Sequence, residues 1–245
     1  MKMKTVLLSV AGTILALALI DAGVALVSSR DSLAGPLDLA HVSAIRVEGS
    51  ASDIRISTAA DGPHVAELKG TRHGWGAIWH SSWFSDACPA NGALRIDGDT
   101  LVVDVGSVPR LFDWSDCTME LTASLPAGAA VTIDQKAART RLQGDFSVID
   151  IRSDAGDVTV DGHAERLTLS GAALRARITY QRVMHNEVIA ISGRMLDATL
   201  RFVQPTAISY LVEATASFVD SALPNTPGAK PSITLRGDML RARIE

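Results

Sequence analysis

Three ten-residue segments in the second half of the chain are versions of one another. LSGAALRARI begins at Leu169, ISGRMLDATL at Ile191 and LRGDMLRARI at Leu235, and the first and last agree at seven of ten positions. Aligned on their apolar residues, Ile133, Ile151, Leu169 and Ile191 form one column, and Leu142, Val160, Ile178, Leu200 and Phe218 a second. The steps are 18 residues, stretching once to 22. A unit this short, with two apolar strand-like runs, cannot bury its own apolar face; stacking on its neighbours closes a shared interior. The repeat therefore predicts an all-β single-chain β-solenoid with two short strands per turn. Gly156, Gly171, Gly193 and Gly237 fall between the two strands, where a tight turn would use a positive φ.

The upstream sequence extends the pattern. Ala44–Val47, Asp53–Ile56, Val65–Leu68, Leu94–Ile96, Leu101–Val105 and Met119–Leu125 read as further strands, the last leading into a Pro126-Ala127-Gly128 turn. Hydrophobic residues make up 47% of the chain but aromatics only 4%, so the core must be aliphatic, which suits thin stacked strands. With the second column facing in, Arg139, Asp157, Arg175 and Asp197 face out. Opposite charges then meet on neighbouring rungs, contributing about 0.2–1 kcal/mol per pair and helping to fix register. A polyanion-binding arginine face is the alternative use of the same residues.

The N-terminus sets the compartment. Lys2 and Lys4 precede a run from Val6 to Val27 that is apolar except for Ser9, Thr13 and Asp21, and no basic residue follows until Arg30. That asymmetry keeps the N-terminus cytoplasmic and exports the remainder. Residues 1–29 serve either as an uncleaved signal anchor, for which 22 residues suffice, or as a cleaved signal peptide ending near Gly23–Ala25 or Val27–Ser29. The anchor is favoured. Residues 30–41 read as a linker and 42–245 as the solenoid domain, on the periplasmic or extracellular face of the membrane.

The strand, small polar turn, Gly-Asp, strand unit in Val47–Ile56 (VEGSASDIRI), Leu125–Ile133 (LPAGAAVTI) and Ile151–Gly162 (IRSDAGDVTVDG) resembles the bacterial putative-adhesin family of unknown function. The resemblance covers residues 42–245 and implies an exported or membrane-anchored β-helical body. Residues 71–92 depart from it as an insertion.

That insertion holds Trp75, Trp79, Trp83 and Phe84, three of the chain's four tryptophans among them. Four-residue spacing would put the three indoles on one face of a short helix. They read as a cap over an open side of the solenoid or, alternatively, as a surface for glycan or lipid. His73 and His80 could hold a metal only in a remote third reading, and no metal is expected. Enzyme signatures such as GxSxG, HExxH or a P-loop do not occur, and Gly74-Trp75-Gly76 has Trp79 where a dinucleotide fingerprint needs its third glycine. No cofactor is implied. Asp150, Asp154, Asp157 and Asp161 could form a calcium site or the acidic groove of a polysaccharide-cleaving β-helix, though alternation on solvent-facing strands accounts for them. A net charge of −4 gives no footprint for nucleic acid. The expected function is a non-enzymatic, adhesin-like envelope scaffold or interaction module, with an envelope protein, glycan or lipid as partner. The alternative is a carbohydrate-active β-helix enzyme or glycan-binding protein.

Export also gives meaning to the two cysteines, Cys88 and Cys117, an even pair without CxxC spacing. A disulfide would close a loop of about 30 residues and contribute about 3–4 kcal/mol. Thiol titration of the denatured, unreduced exported protein should find no free cysteine; two titratable thiols would refute the pairing.

Overall fold

The computed structural model describes residues 37–72, 92–106 and 117–245. Every regular element among them is a strand: β1 (Leu37–Asp38), β2 (Ala44–Ala59), β3 (Val65–Arg72), β4 (Gly92–Asp97), β5 (Thr100–Val105), β6 (Cys117–Pro126), β7 (Ala129–Tyr180), β8 (Val188–Phe202), β9 (Ser209–Ser221) and β10 (Ser232–Ile244). They form one mixed sheet in the order β1-β3-β6-β2-β7-β8-β10-β9, with β5 also on β2 and β4 on β5. Leu37–Asp38, inside the expected linker, already pair with β3, and Leu39 is fully buried. The N-terminal apolar segment lies outside the described residues. Among those residues no helix is long and apolar enough to cross a membrane.

The parallel ladders follow the repeat. Leu169, Leu174 and Ile178 lie opposite Ile191, Leu196 and Leu200, and Leu235, Leu240 and Ile244 lie opposite the same three. All nine side chains are buried. Val47 opposite Ile133 and Ile56 opposite Leu142 carry the same arrangement toward the N-terminus. Because side chains alternate faces with period two, a slip of one residue would turn every such column to solvent. The aliphatic pattern thus fixes the register.

The structure departs from the expectation in three ways. The strands run through the bends instead of breaking into two short pieces per turn; β7 alone spans 52 residues. Gly156, Gly171, Gly193 and Gly237 do not have positive φ, which occurs instead at Gly49, Gly62, Gly98, Gly128, Gly144, Gly162 and Gly228. Three of the expected four serve close approach between backbones: a Cβ on Gly171 would sit 1.8 Å from the Ser153 carbonyl oxygen, one on Gly237 2.5 Å from that of Gly193, and one on Gly193 3.2 Å from that of Gly171. Ladders that bend at the same place bring their main chains together there, and at these three positions the close approach leaves no room for a side chain.

The third departure concerns order. β10 lies between β8 and β9, so the last segment in sequence is not the last in space. Its inward Leu235, Leu240 and Ile244 match β8 well, whereas β9 offers Val212, Ser217 and Ser221 at those positions. The better apolar set takes the position buried on both sides. Phe218 consequently leaves the column assigned to it: it lies opposite Arg241, with Ser221 at the rung position of Leu200, and is 64% exposed.

Gly171→Ala should therefore be severely destabilising, because its new methyl meets backbone rather than a movable side chain. We expect a loss of about 3 kcal/mol or more in urea unfolding. Gly156→Ala, whose Cβ would press on the Leu174 Cδ2 methyl at 2.9 Å and otherwise make ordinary contact with the Ser153 side chain, should lose much less. Equal losses would show that close approach is not what the column requires.

Candidate functional site

Each long strand turns a corner, and the two residues just past it stack into a groove. The pairs are Ala51 and Ser52, Ala137 and Ala138, Ala155 and Gly156, Ala173 and Leu174, Met195 and Leu196, Met239 and Leu240, and Ala216 and Ser217, all bordering one concave space of about 1030 Å³. The ladders hold them in line: Ala51 faces Ala137, Ala173 faces Met195, and Met239 lies between Met195 and Ala216. At about 4.8 Å per strand the groove runs roughly 29 Å across the strands. Its second-position side chains Ala138, Leu174, Leu196 and Leu240 are buried and form the floor, while Met195 and Met239 remain 56% and 63% exposed. Small residues make the N-terminal half shallow-walled; thioethers and Phe218 make the other half adaptable and apolar.

The next residue is charged at six of the seven corner pairs, with alternating sign, and is Phe218 at the seventh. Asp53 lies opposite Arg139, Arg175 opposite Asp197, and Arg241 opposite Asp197 from the other side; Asp157 also borders the groove. The outward charges expected at Arg139, Asp157, Arg175 and Asp197 are thus on the groove rim. Arg175 Nε approaches Asp197 Oδ2 at 3.7 Å, Arg177 reaches Asp157 at 3.1 Å, and Arg141 reaches Asp53 at 3.3 Å. Side-chain exposures of 41–57% at the first two pairs limit each to a fraction of a kcal/mol. Their main consequence is different: a rim of paired, alternating charge has no net attraction for a polyanion.

The four aspartates do not converge. Asp157 is on the groove rim; Asp154 borders a separate polar hollow with Glu48, Asp134, Lys136 and Arg152. Asp150 lies 3.8 Å from Arg152, and Asp161 accepts a hydrogen bond from Gln181 at 2.6 Å. Among the described residues no group of three His, Cys, Asp or Glu is arranged to hold a metal. Trp75, Trp79, Trp83, Phe84, His73, His80 and Cys88 lie outside the described residues. Of Cys117 the structure describes the backbone, which opens β6 opposite Arg72.

A buried polar cluster escaped the sequence reading. The single 22-residue step contains a loop after Tyr180, and Glu187, fully buried, ties it down. Its carboxylate accepts from the N–H groups of Met184 and, at 3.1 Å, Asn186, and lies 3.2 Å from His163 Nε2. His185, within the loop, has a φ of 62°. Tyr180 stacks on Phe202 at 5.5 Å, meets the His163 ring edge-on at 6.2 Å, and donates to the Ala164 carbonyl at 3.2 Å. The extra residues of the 22-residue step, ending in Glu187 just before the apolar start of β8, were the available signal, but nothing in the sequence points to His163 as its partner.

No family model matches the chain, and no curated protein matches it. Among solved structures it is similar to a putative cell adhesion protein from Clostridium sporogenes ATCC 15579, at 8% identity over 86% of this chain and 97% of that one, with a TM-score of 0.42. A putative adhesin from Bacteroides fragilis NCTC 9343 is similar at 14% identity over 86% and 95%, with a TM-score of 0.36. Likeness of this degree carries no argument about what this chain binds.

Burial raises the Tyr180 pKa above its ordinary 10.0, and the nearby Glu187 carboxylate adds to the shift. The neutral phenol is favoured in the folded state, so its contribution holds below about pH 10 and is lost as pH climbs toward the raised value. The urea midpoint should fall between about pH 8 and pH 11, and fall less in Tyr180→Phe, which forgoes about 1 kcal/mol at neutral pH for its lost hydrogen bond. Identical alkaline losses in the two proteins would contradict this.

Proposed function

We propose that the chain is a non-enzymatic interaction module of the cell envelope: a β-solenoid scaffold, exported and held at the membrane by residues 1–29, that binds an envelope partner along the corner groove. The observation that carries this reading is the groove itself. Its apolar floor runs about 19 Å from Ala138 to Leu240, and the exposed Met195, Met239 and Phe218 beside it line one concavity, the form a binding surface takes. Parallel pairing in constant register, with equivalent glycines at one bend, supports the solenoid description. The rim favours binding over catalysis, since each of its carboxylates is matched with an arginine. An adhesin-like role, with an envelope protein, glycan or lipid as occupant, is the class of function this geometry serves. A carbohydrate-active enzyme would want acids converging across the groove, and here each acid is separated from the next by an arginine.

The hydrophobic dye ANS is a direct probe of the groove. The wild-type protein should enhance its fluorescence, and Met195→Lys with Met239→Lys should lower that enhancement several-fold. Both positions are exposed, so stability should stay within about 0.5 kcal/mol. Undiminished dye binding in the double variant would remove the groove as the binding surface. Release of new reducing ends from purified envelope polysaccharide would overturn the non-enzymatic assignment.

A further inference from the structure

The two ends of the strand order are finished differently. At one end antiparallel strands close the sheet, β3 on β6 and β4 on β5. At the other, β9 pairs only with β10 among the described residues. Its core-facing Tyr210, Val212, Ala214 and Val219 are only partly buried, although Ile233, Leu235, Leu240, Ala242 and Ile244 of the adjacent β10 are 0–5% exposed. The apolar interior reaches the last rung and stops there uncovered.

The loop after β9 guards only the first part of this edge. Tyr210 N–H donates to Asn225 Oδ1 at 3.0 Å, and Asn225 Nδ2 donates to the Tyr210 carbonyl at 3.0 Å. Asn225 thus stands in for a neighbouring strand at one residue. Since Tyr210 faces away from β10, so do the main-chain groups of Val212 and Ala214, by the alternation of a strand. Beyond the bend the parity reverses: Ala222 N–H donates inward to the Ile244 carbonyl at 2.8 Å, which leaves Ser217 and Val219 facing outward. From Val212 to Val219 nothing among the described residues occupies the edge.

We propose that this edge joins two copies of the chain around a two-fold axis at the bend, the first arm of each β9 running antiparallel to the second arm of the other. Registry between Gly237 and Ala214, and between Met239 and Ala216, places the bend between two arms of six residues, 209–214 and 216–221. The register centred there pairs outward main chain with outward main chain and core face with core face. Val212 then lies opposite the partner's Val219, and Ala214 opposite the partner's Ser217, continuing the interior from one copy into the next. On the outer face Glu213 lies opposite the partner's Phe218 and Leu211 opposite the partner's Asp220, so no like charges meet. A closed, self-complementary contact of this kind uses up the free edge instead of propagating it.

Sedimentation equilibrium of the full chain in density-matched detergent micelles tests this, because mass is read independently of any groove ligand. The wild type should be dimeric. Phe218→Glu sets a carboxylate opposite Glu213 at two symmetric places and should weaken self-association about tenfold or more. Phe218→Arg, opposite the same glutamate, should stay within about threefold of the wild type. Phe218 is 64% exposed, so both variants should melt as the wild type does. A wild type that remains monomeric, or an association that ignores Phe218→Glu, overturns the proposal.

Discussion

Parallel main chains meeting in register at a shared bend are the constraint on which the rest of this structure depends. Gly171, Gly193 and Gly237 allow that meeting in the C-terminal half, where a Cβ would enter the carbonyl of the rung below at 1.8–3.2 Å. Toward the N-terminus the next two corresponding positions are held by Ser153 and Gln135, both buried and polar, before glycine returns at Gly49 opposite Gln135. Gln135 accepts a hydrogen bond from Ser52 at 2.9 Å, and Ser153 donates to the Ala155 carbonyl at 2.9 Å. Where no glycine relieves the bend, these hydrogen bonds tie the buried polar side chains to their neighbours. Once the bends coincide, the aliphatic columns on either side are forced into line, and their burial supplies the non-directional stabilisation.

How much of this could be read beforehand depended on whether a signal was local or summed across rungs. The columns through Leu169, Ile191 and Leu235 were legible because near-identical decapeptides can only stack on equivalent positions. The rim charges at Arg175 and Asp197 followed from the same alignment. Glycine identity was visible, but its reason was not: a positive φ is a local property, whereas approach to Ser153 is set by a residue 18 positions away. Phe218 was misplaced for a related cause. Its apolar character suggested the interior, yet β9 pairs with β10, and that pairing assigns Phe218 to the rim opposite Arg241.

The groove belongs wholly to the summed class. No single corner pair looks like a site; Ala137 and Ala138, or Met195 and Leu196, are ordinary strand residues in isolation. Only when ladders bring positions from 51 to 240 onto one line does a continuous apolar floor form. The 22-residue step shows the same logic in reverse. Four extra residues could have thrown the strands out of register, but Glu187 folds back on Met184 and Asn186 and keeps the excess in a loop, so Tyr180 still lies opposite Phe202. Removing the Glu187 carboxylate would leave the Met184 and Asn186 N–H groups and the buried His163 ring without their partner, at about 1–3 kcal/mol for each buried group left unsatisfied, so the loop is as firmly specified as the columns.

The placement of β10 links the interior to the groove. A stack that followed sequence order would end on the strand with the best inward residues, Leu235, Leu240 and Ile244, and would expose them. Inserting β10 between β8 and β9 buries that set on both sides and leaves at the edge a strand whose inward residues are smaller and whose rim residue is Phe218 in place of a charge. The exchange also shapes the groove: Arg241 comes to lie beside Asp197, extending the alternation by one rung, and Met239 comes to lie beside Met195. Had β9 taken that position, Phe218 would face Asp197 and Ala216 would face Met195, and the apolar thioether half of the groove would shrink. The crossover that optimises the interior is therefore also what builds the most apolar part of the candidate binding surface.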